Sequence, residues 1–240
     1  MLGEQDRIVG ISGYVVRPPQ ARREKPRAFT SANIDKIMAL KPDLVLAFSD
    51  LQADIAGDLI RRGLDVHAFN QRSIAGILEM IWTIGGMVDA SERAQQLVDR
   101  LEARLSEVQQ GAECLPRRPR VFFEEWDDPL ISGIGWVSEL VEIAGGIDIF
   151  GDRAGRGAAK DRIVTIDEVV AREPDLIIGS WCGKKFPPER VMARPGFERT
   201  PAVRHQDVHE IKSSLILQPG PAALTDGLAE LQKIVGSGRG

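Results

Sequence analysis

Residues 34–47 read Ile-Asp-Lys-Ile-Met-Ala-Leu-Lys-Pro-Asp-Leu-Val-Leu-Ala, and residues 166–179 read Ile-Asp-Glu-Val-Val-Ala-Arg-Glu-Pro-Asp-Leu-Ile-Ile-Gly, with six of fourteen positions identical. Solenoid units recur every few tens of residues, and this repeat lies much further apart. It implies two similar lobes with a cleft between them. Within each copy, Asp35 or Asp167 stands where a helical pattern starts, a place that favours a carboxylate. Pro42 or Pro174 then stops the helix, because the residue before a proline is driven from the α region. A short continuous apolar run follows, Leu44-Val45-Leu46-Ala47 or Leu176-Ile177-Ile178-Gly179, of the kind that forms a parallel strand covered on both faces.

The rest of the chain alternates in the same way. Strands are expected at residues 7–12, 43–48, 65–69, 120–125 and 207–211, with a further extended piece at 147–150. Helices are expected at 31–40, 51–62, 73–88, 91–110, 136–144, 188–193 and 220–235, and a loop at 126–135. Ala94, Leu97, Val98, Leu101 and Leu105 share one face of the helix at 91–110, which at roughly 30 Å is long enough to join two lobes. Alternating helices and strands favour a parallel sheet. Three segments result: an N-terminal lobe at 1–88, a linking helix at 89–115 and a C-terminal lobe at 116–240. The second lobe carries a strand and a helix ahead of its copy that the first lobe lacks. The chain is therefore expected to be short at its N-terminus by one strand–helix unit, on the order of 20–30 residues.

Several function classes are disfavoured by composition. A net charge of −4 argues against a nucleic-acid partner held by phosphate contacts. Cys114 and Cys182 are too few for a disulfide scaffold, and His67, His205 and His209 lack metal-ligand spacing, so no metal site is expected. The best apolar stretch, near residues 77–88, is interrupted by Glu79 and Gly85-Gly86 and is too short to span a membrane. The first residues lack the pattern of a secretory signal. No nucleophile elbow or phosphate-binding glycine loop is present, which argues against an enzyme. The competing reading of that class is a cytosolic metal-dependent enzyme using the acidic cluster Glu124-Glu125 and Asp127-Asp128.

Taken in order, the phrases Asp6-Arg-Ile-Val-Gly-Ile-Ser-Gly-Tyr14, Pro18-Pro19, Ile37-Met-Ala-Leu-Lys-Pro-Asp-Leu-Val45, Ser132-Gly133, Ala144-Gly145-Gly146 and Ala171-Arg-Glu-Pro-Asp-Leu-Ile177 resemble the substrate-binding proteins of ABC importers for cobalamin and iron–siderophore complexes, in particular the cobalamin-binding branch. The resemblance runs from residue 6 to about residue 235. It implies an α/β fold of two Rossmann-like lobes joined by a single long helix, like that of class III periplasmic binding proteins. It also implies a periplasmic, monomeric protein that carries cobalamin (vitamin B12) or a related corrinoid as cargo, without a cofactor, and delivers it to a membrane permease dimer.

By position, the resemblance makes Tyr14, Phe29 and Phe48 ligand contacts of the first lobe, and Trp126, Trp181 and Lys212 contacts of the second. Strand ends are where open α/β sheets bind ligands, and flat rings suit the broad faces of a corrin. Trp82 is expected in the core. Asp35, Asp167 and the adjacent Glu168 correspond to acids that pair with permease arginines, and helix capping is the alternative role for them. A ferric siderophore or haem is the alternative cargo on the same fold, with Tyr14 and His209 as possible axial ligands.

Overall fold

A computed structural model describes residues 1–13, 15–29 and 33–237, with residues 27–29 described in their backbone only. The chain is α/β and divides into two compact units. The first draws on Met1–Gln71 and Met80–Leu97, the second on Arg72–Glu79 and the residues from Val98 onward.

The first unit contains β1 (Ile11–Ser12), α1 (Pro19–Glu24), β2 (Arg27–Phe29), α2 (Ile34–Ala39), β3 (Leu44–Phe48), α3 (Ala53–Arg61) and β4 (Asp65–Phe69). Its strands form two separate pairs, β1 with β2 and β3 with β4, both parallel. The strand expected at 7–12 shrinks to the two residues that reach β2. Gln5–Arg7 forms a 3-10 turn instead, and the Arg7 guanidinium donates to the Val88 carbonyl at 2.8 Å. Two longer helices follow, α4 (Ile74–Met87) and α5 (Ser91–Ala112), and the chain passes between units within each of them.

The second unit is built on one five-stranded sheet. Its elements are β5 (Arg120–Asp127), β6 (Leu130–Ser132), α6 (Gly135–Ile143), β7 (Ile147–Asp148), α7 (Gly151–Ala154), α8 (Ile166–Ala171), β8 (Leu176–Gly179), α9 (Pro188–Met192), α10 (Pro201–Arg204), β9 (Val208–Glu210), α11 (Ser213–Ile216) and α12 (Leu228–Ser237). Strand β5 lies at the centre of this sheet. It pairs in parallel with β7 and β8 and antiparallel with β6, and β8 pairs onward with β9.

The repeat is preserved down to the backbone. Helices α2 and α8 each end before a left-handed residue, Lys41 at φ 49° and Glu173 at φ 43°, and each is followed by the Pro-Asp that leads into the strand. A left-handed residue just past the last turn is a common way to end a helix. The two strands nevertheless meet different surroundings. All four residues of β8 are buried, whereas β3 is only half covered and Leu46 at its middle is 47% exposed. The cause is neighbourhood: β8 lies between β5 and β9, while among the described residues β3 is paired with β4 alone.

Burial follows the same division. Phe122, Phe150, Trp181, Phe186 and Phe197 belong to one buried cluster in the second unit, whereas a cluster described in the first unit is centred on the smaller Ile37 and Leu59. Trp82 is not a core residue. It is 42% exposed, because α4 buries the face that carries Ile74, Ile77 and Ile81 and turns the indole away from it.

Candidate functional site

Strand β5 is two residues longer than its apolar pattern suggests. Its continuation pairs with β6 across the turn at Asp128 and Pro129, with Trp126 opposite Ile131 and Asp127 opposite Leu130. Trp126 is therefore part of a strand and not of the expected loop. It remains half-buried, and its indole N–H donates to the Asp128 carbonyl at 3.1 Å.

The acids at this end of β5 each take a cation from elsewhere in the unit. Glu124 is fully buried and accepts both terminal nitrogens of Arg194, at 2.5 and 2.8 Å, together with the Trp181 indole N–H at 3.0 Å. Burial pushes the Glu124 carboxyl up, and the Arg194 guanidinium pulls against it. Glu125 receives a two-pronged pair from the buried Arg162 at 2.7 and 3.0 Å, and Arg162 also donates to the Ser132 carbonyl. Asp127 holds the Lys184 ammonium at 2.8 Å from both of its oxygens. Partial burial raises the Asp127 carboxyl, but the hydrogen bond and charge of Lys184 outweigh it and leave it below the usual carboxylate range.

The loop at 181–186 is pinned at both ends. Trp181 is only 3% exposed and packs edge-on against Phe186, with ring centroids 5.1 Å apart. Phe186 lies against Gly179, where any side chain would collide with its ring. Gly183 turns the exposed tip at φ 70°, a conformation natural to glycine. Lys184 thus projects from a held loop, with its nitrogen 5.1 Å from the Trp126 ring centre and 5.3 Å from that of Trp181. The resemblance makes Trp181 a ligand contact. Here it is a core residue, since its polar edge is satisfied by Glu124 and its face is packed.

The other expected residues belong to both units. Phe48 ends β3, is half-buried, and its N–H donates to Gln52 Oε1 at 2.9 Å. It precedes Ser49, which is held at φ 68° and ψ 160°, a region nearly confined to glycine, beside a cavity of about 210 Å³ lined by Ser49, Gln52, Ala53 and Phe69. Tyr14 lies outside the described residues, as does the Phe29 side chain, whose backbone is in β2. Lys212 is exposed in the residue before α11.

Asp35 and Asp167 occupy the second position of α2 and α8, and their side chains are 86% and 95% exposed. Neither caps its helix. Asn33 accepts the Lys36 N–H and Thr165 accepts the Glu168 N–H, so the acids are spared that role. Glu168 is committed instead: it completes the capping box with Thr165 and pairs with Arg153, which holds its carboxyl below the usual range.

Of these partners, the sequence shows Glu124, Glu125 and Asp127 as an acidic cluster but not the cations that pair with them. Arg162 and Arg194 carried no signal at all, because each is far along the chain from its acid. Among the described residues no group of three or more potential metal ligands comes together. No described helix is long and apolar enough to cross a membrane.

The periplasmic binding protein family profile matches residues 1–215. The chain belongs to the periplasmic binding protein family. Proteins of this family bind solutes and are found in the periplasm or outside the cell. Among relatives, an uncharacterized ABC transporter substrate-binding lipoprotein of Bacillus subtilis, YvrC, is 27% identical over 98% of this chain and 74% of its own length. The vitamin B12-binding protein of Vibrio cholerae is 26% identical over 74% of this chain, a match that spans 64% of the Vibrio protein. Two solved periplasmic binding proteins share the fold. The vitamin B12 binding protein BtuF of Vibrio cholerae superposes with a TM-score of 0.74 at 22% identity, covering 98% of this chain and 90% of its own. The haem-binding protein RhuT of Roseiflexus superposes with a TM-score of 0.78 at 22% identity, covering 98% and 93%.

Proposed function

We propose that this protein is the substrate-binding component of an ABC importer and that its cargo is cobalamin or a related corrinoid. The observation that carries the choice of cargo is the neutralisation of cations at the carboxyl end of β5. Arg194, Arg162 and Lys184 are paired with Glu124, Glu125 and Asp127, beside the partly exposed ring of Trp126. A ferric siderophore or the two carboxylates of haem need uncommitted cations. A corrin with a rim of neutral amides needs apolar area and single hydrogen bonds. The vitamin B12-binding relative supports the same reading.

In this reading Phe48 and Trp126 are aromatic contacts of the cargo, with Tyr14, Phe29 and Lys212 as further contacts. Trp181 supports Trp126 through Lys184 without touching the ligand. The protein works as a monomer in the periplasm and docks on a permease dimer through Asp35 and Asp167. The exposure of both acids, at the same place in the repeated helix, supports this role.

The test is a titration of intrinsic tryptophan fluorescence with cyanocobalamin, haemin and a ferric siderophore. Saturable quenching with cyanocobalamin at micromolar concentration or below is expected. Saturation with haemin or the siderophore alone would reject the corrinoid assignment.

A further inference from the structure

The ammonium of Lys184 is unusual in being both exposed and spoken for. Its side chain is 45% exposed, yet the carboxylate beneath it is only 7% exposed and bonds it through both oxygens at 2.8 Å. An ammonium has three donors, so one N–H remains after Asp127 has taken two. The aromatic faces on either side and the pinned ends of the loop hold that remaining donor in place.

We infer that Asp127 is a specificity-determining residue that makes Lys184 a reader of neutral hydrogen-bond acceptors and excludes anionic ligands. This rests on the reading of the protein as a binder of a large flat solute. A neutral amide carbonyl can take the remaining N–H while the ion pair stays intact. A carboxylate that approached Lys184 would also approach the charge of Asp127, so the attraction of one is offset by the repulsion of the other. Like-charge opposition of this kind is how interfaces reject wrong partners. Without the Asp127 charge the same ammonium, over the same ring, would become a carboxylate site.

The test measures binding of haemin, which carries two carboxylates, and of cyanocobalamin to the wild type, Asp127→Asn, Asp127→Ser and the double variant Asp127→Asn/Lys184→Met. Glu102→Gln, on the exposed side of α5, controls for net charge. Far-UV circular dichroism and thermal melts confirm folding, and the two substitutions at residue 127 guard against loss of one of them. Asp127→Asn is expected to bind haemin about ten-fold more tightly than the wild type. Cyanocobalamin affinity should change less than about three-fold, and the added Lys184→Met should return haemin binding to the wild-type level. Unchanged haemin affinity in both residue-127 variants, or an equal gain in Glu102→Gln, would overturn the inference. Failure of the wild type to bind cyanocobalamin would remove the corrinoid assignment alone, because the haemin comparison decides the role of Asp127 independently.

Discussion

The indole N–H of Trp181 donates to Oε1 of Glu124 at 3.0 Å, and this bond joins the end of β5 to the loop that carries Lys184. Glu124 has no exposure and also holds Arg194, so its removal strands a guanidinium whose side chain is 16% exposed. Glu124→Ala is expected to cost about 3–5 kcal/mol. Glu124→Gln, which keeps an acceptor for the indole, should cost less. Urea unfolding followed by tryptophan fluorescence measures both, and a wild-type midpoint for Glu124→Ala would show that the bond holds nothing.

Gly179 ends β8 against the face of Phe186. A methyl group there would fall within the aromatic ring, so the ring or the strand must move. Gly179→Ala is expected to destabilise the protein by about 1–3 kcal/mol or more. Because the two residues share one space, adding Phe186→Leu should recover part of the loss, and a thermal-melt double-mutant cycle would register that coupling. Strict additivity would argue against the steric cause.

Among the described residues strand β3 is bonded to one neighbour and β8 to two. Amides of residues 44–48 that point away from β4 should therefore exchange with solvent at least about 100-fold faster than those of residues 176–179. Hydrogen exchange with mass spectrometry reads the difference directly. Equal protection would mean that the open edge of β3 is covered in solution.

Asp35 and Asp167 are free of capping duty, so their substitution should leave both helices intact. With the permease reconstituted in vesicles, each single reversal to lysine is expected to slow association about ten-fold at low salt. The double reversal should abolish stimulation of the transporter's ATPase while cargo affinity is unchanged. Stimulation that survives the double reversal would place docking elsewhere.

Acid should loosen the second unit through two carboxylates. Arg172 holds Asp152 below its ordinary value, and Arg153 does the same for Glu168. A depressed folded pKa gives stability that is present above the unfolded values of about 3.9 and 4.3, and that is lost as pH falls through the lowered ones. Both pairs are partly exposed, so Asp152→Asn/Glu168→Gln should lower stability at pH 6 by only about 1 kcal/mol. The gap between wild type and variant should narrow in a series of urea titrations as pH falls below the unfolded carboxylate values. A constant gap would assign the effect to packing.

Much of the secondary structure could be read from local pattern. Helix α5 begins at Ser91 as its apolar stripe implies, and β4 spans Asp65–Phe69 as expected. Ring burial could not be read in the same way. Trp82, within an apolar helix, is exposed, and Trp181, flanked by polar residues, is buried. An indole is apolar over its faces and polar at one edge, so its neighbours in space decide its place. For Trp181 the decisive neighbour is Glu124, which accepts its N–H. The candidate site was legible as a list of residue types at strand ends. Its pairing of Glu124 with Arg194 and Glu125 with Arg162 was not, since nothing in a linear pattern links residues so far apart.

The duplicated helix, Pro-Asp turn and apolar strand belong to the sequence by itself, because each rests on contacts within a few residues: a cap at Asn33 or Thr165, a left-handed stop at Lys41 or Glu173, and an aliphatic run. Only the tertiary structure decided what became of the two runs. Leu176–Gly179 is sealed because β5 lies along its edge, and Leu44–Phe48, which among the described residues pairs with β4 alone, stays half open. Burial is a property of what approaches from elsewhere in the chain, and similar local chemistry cannot specify it.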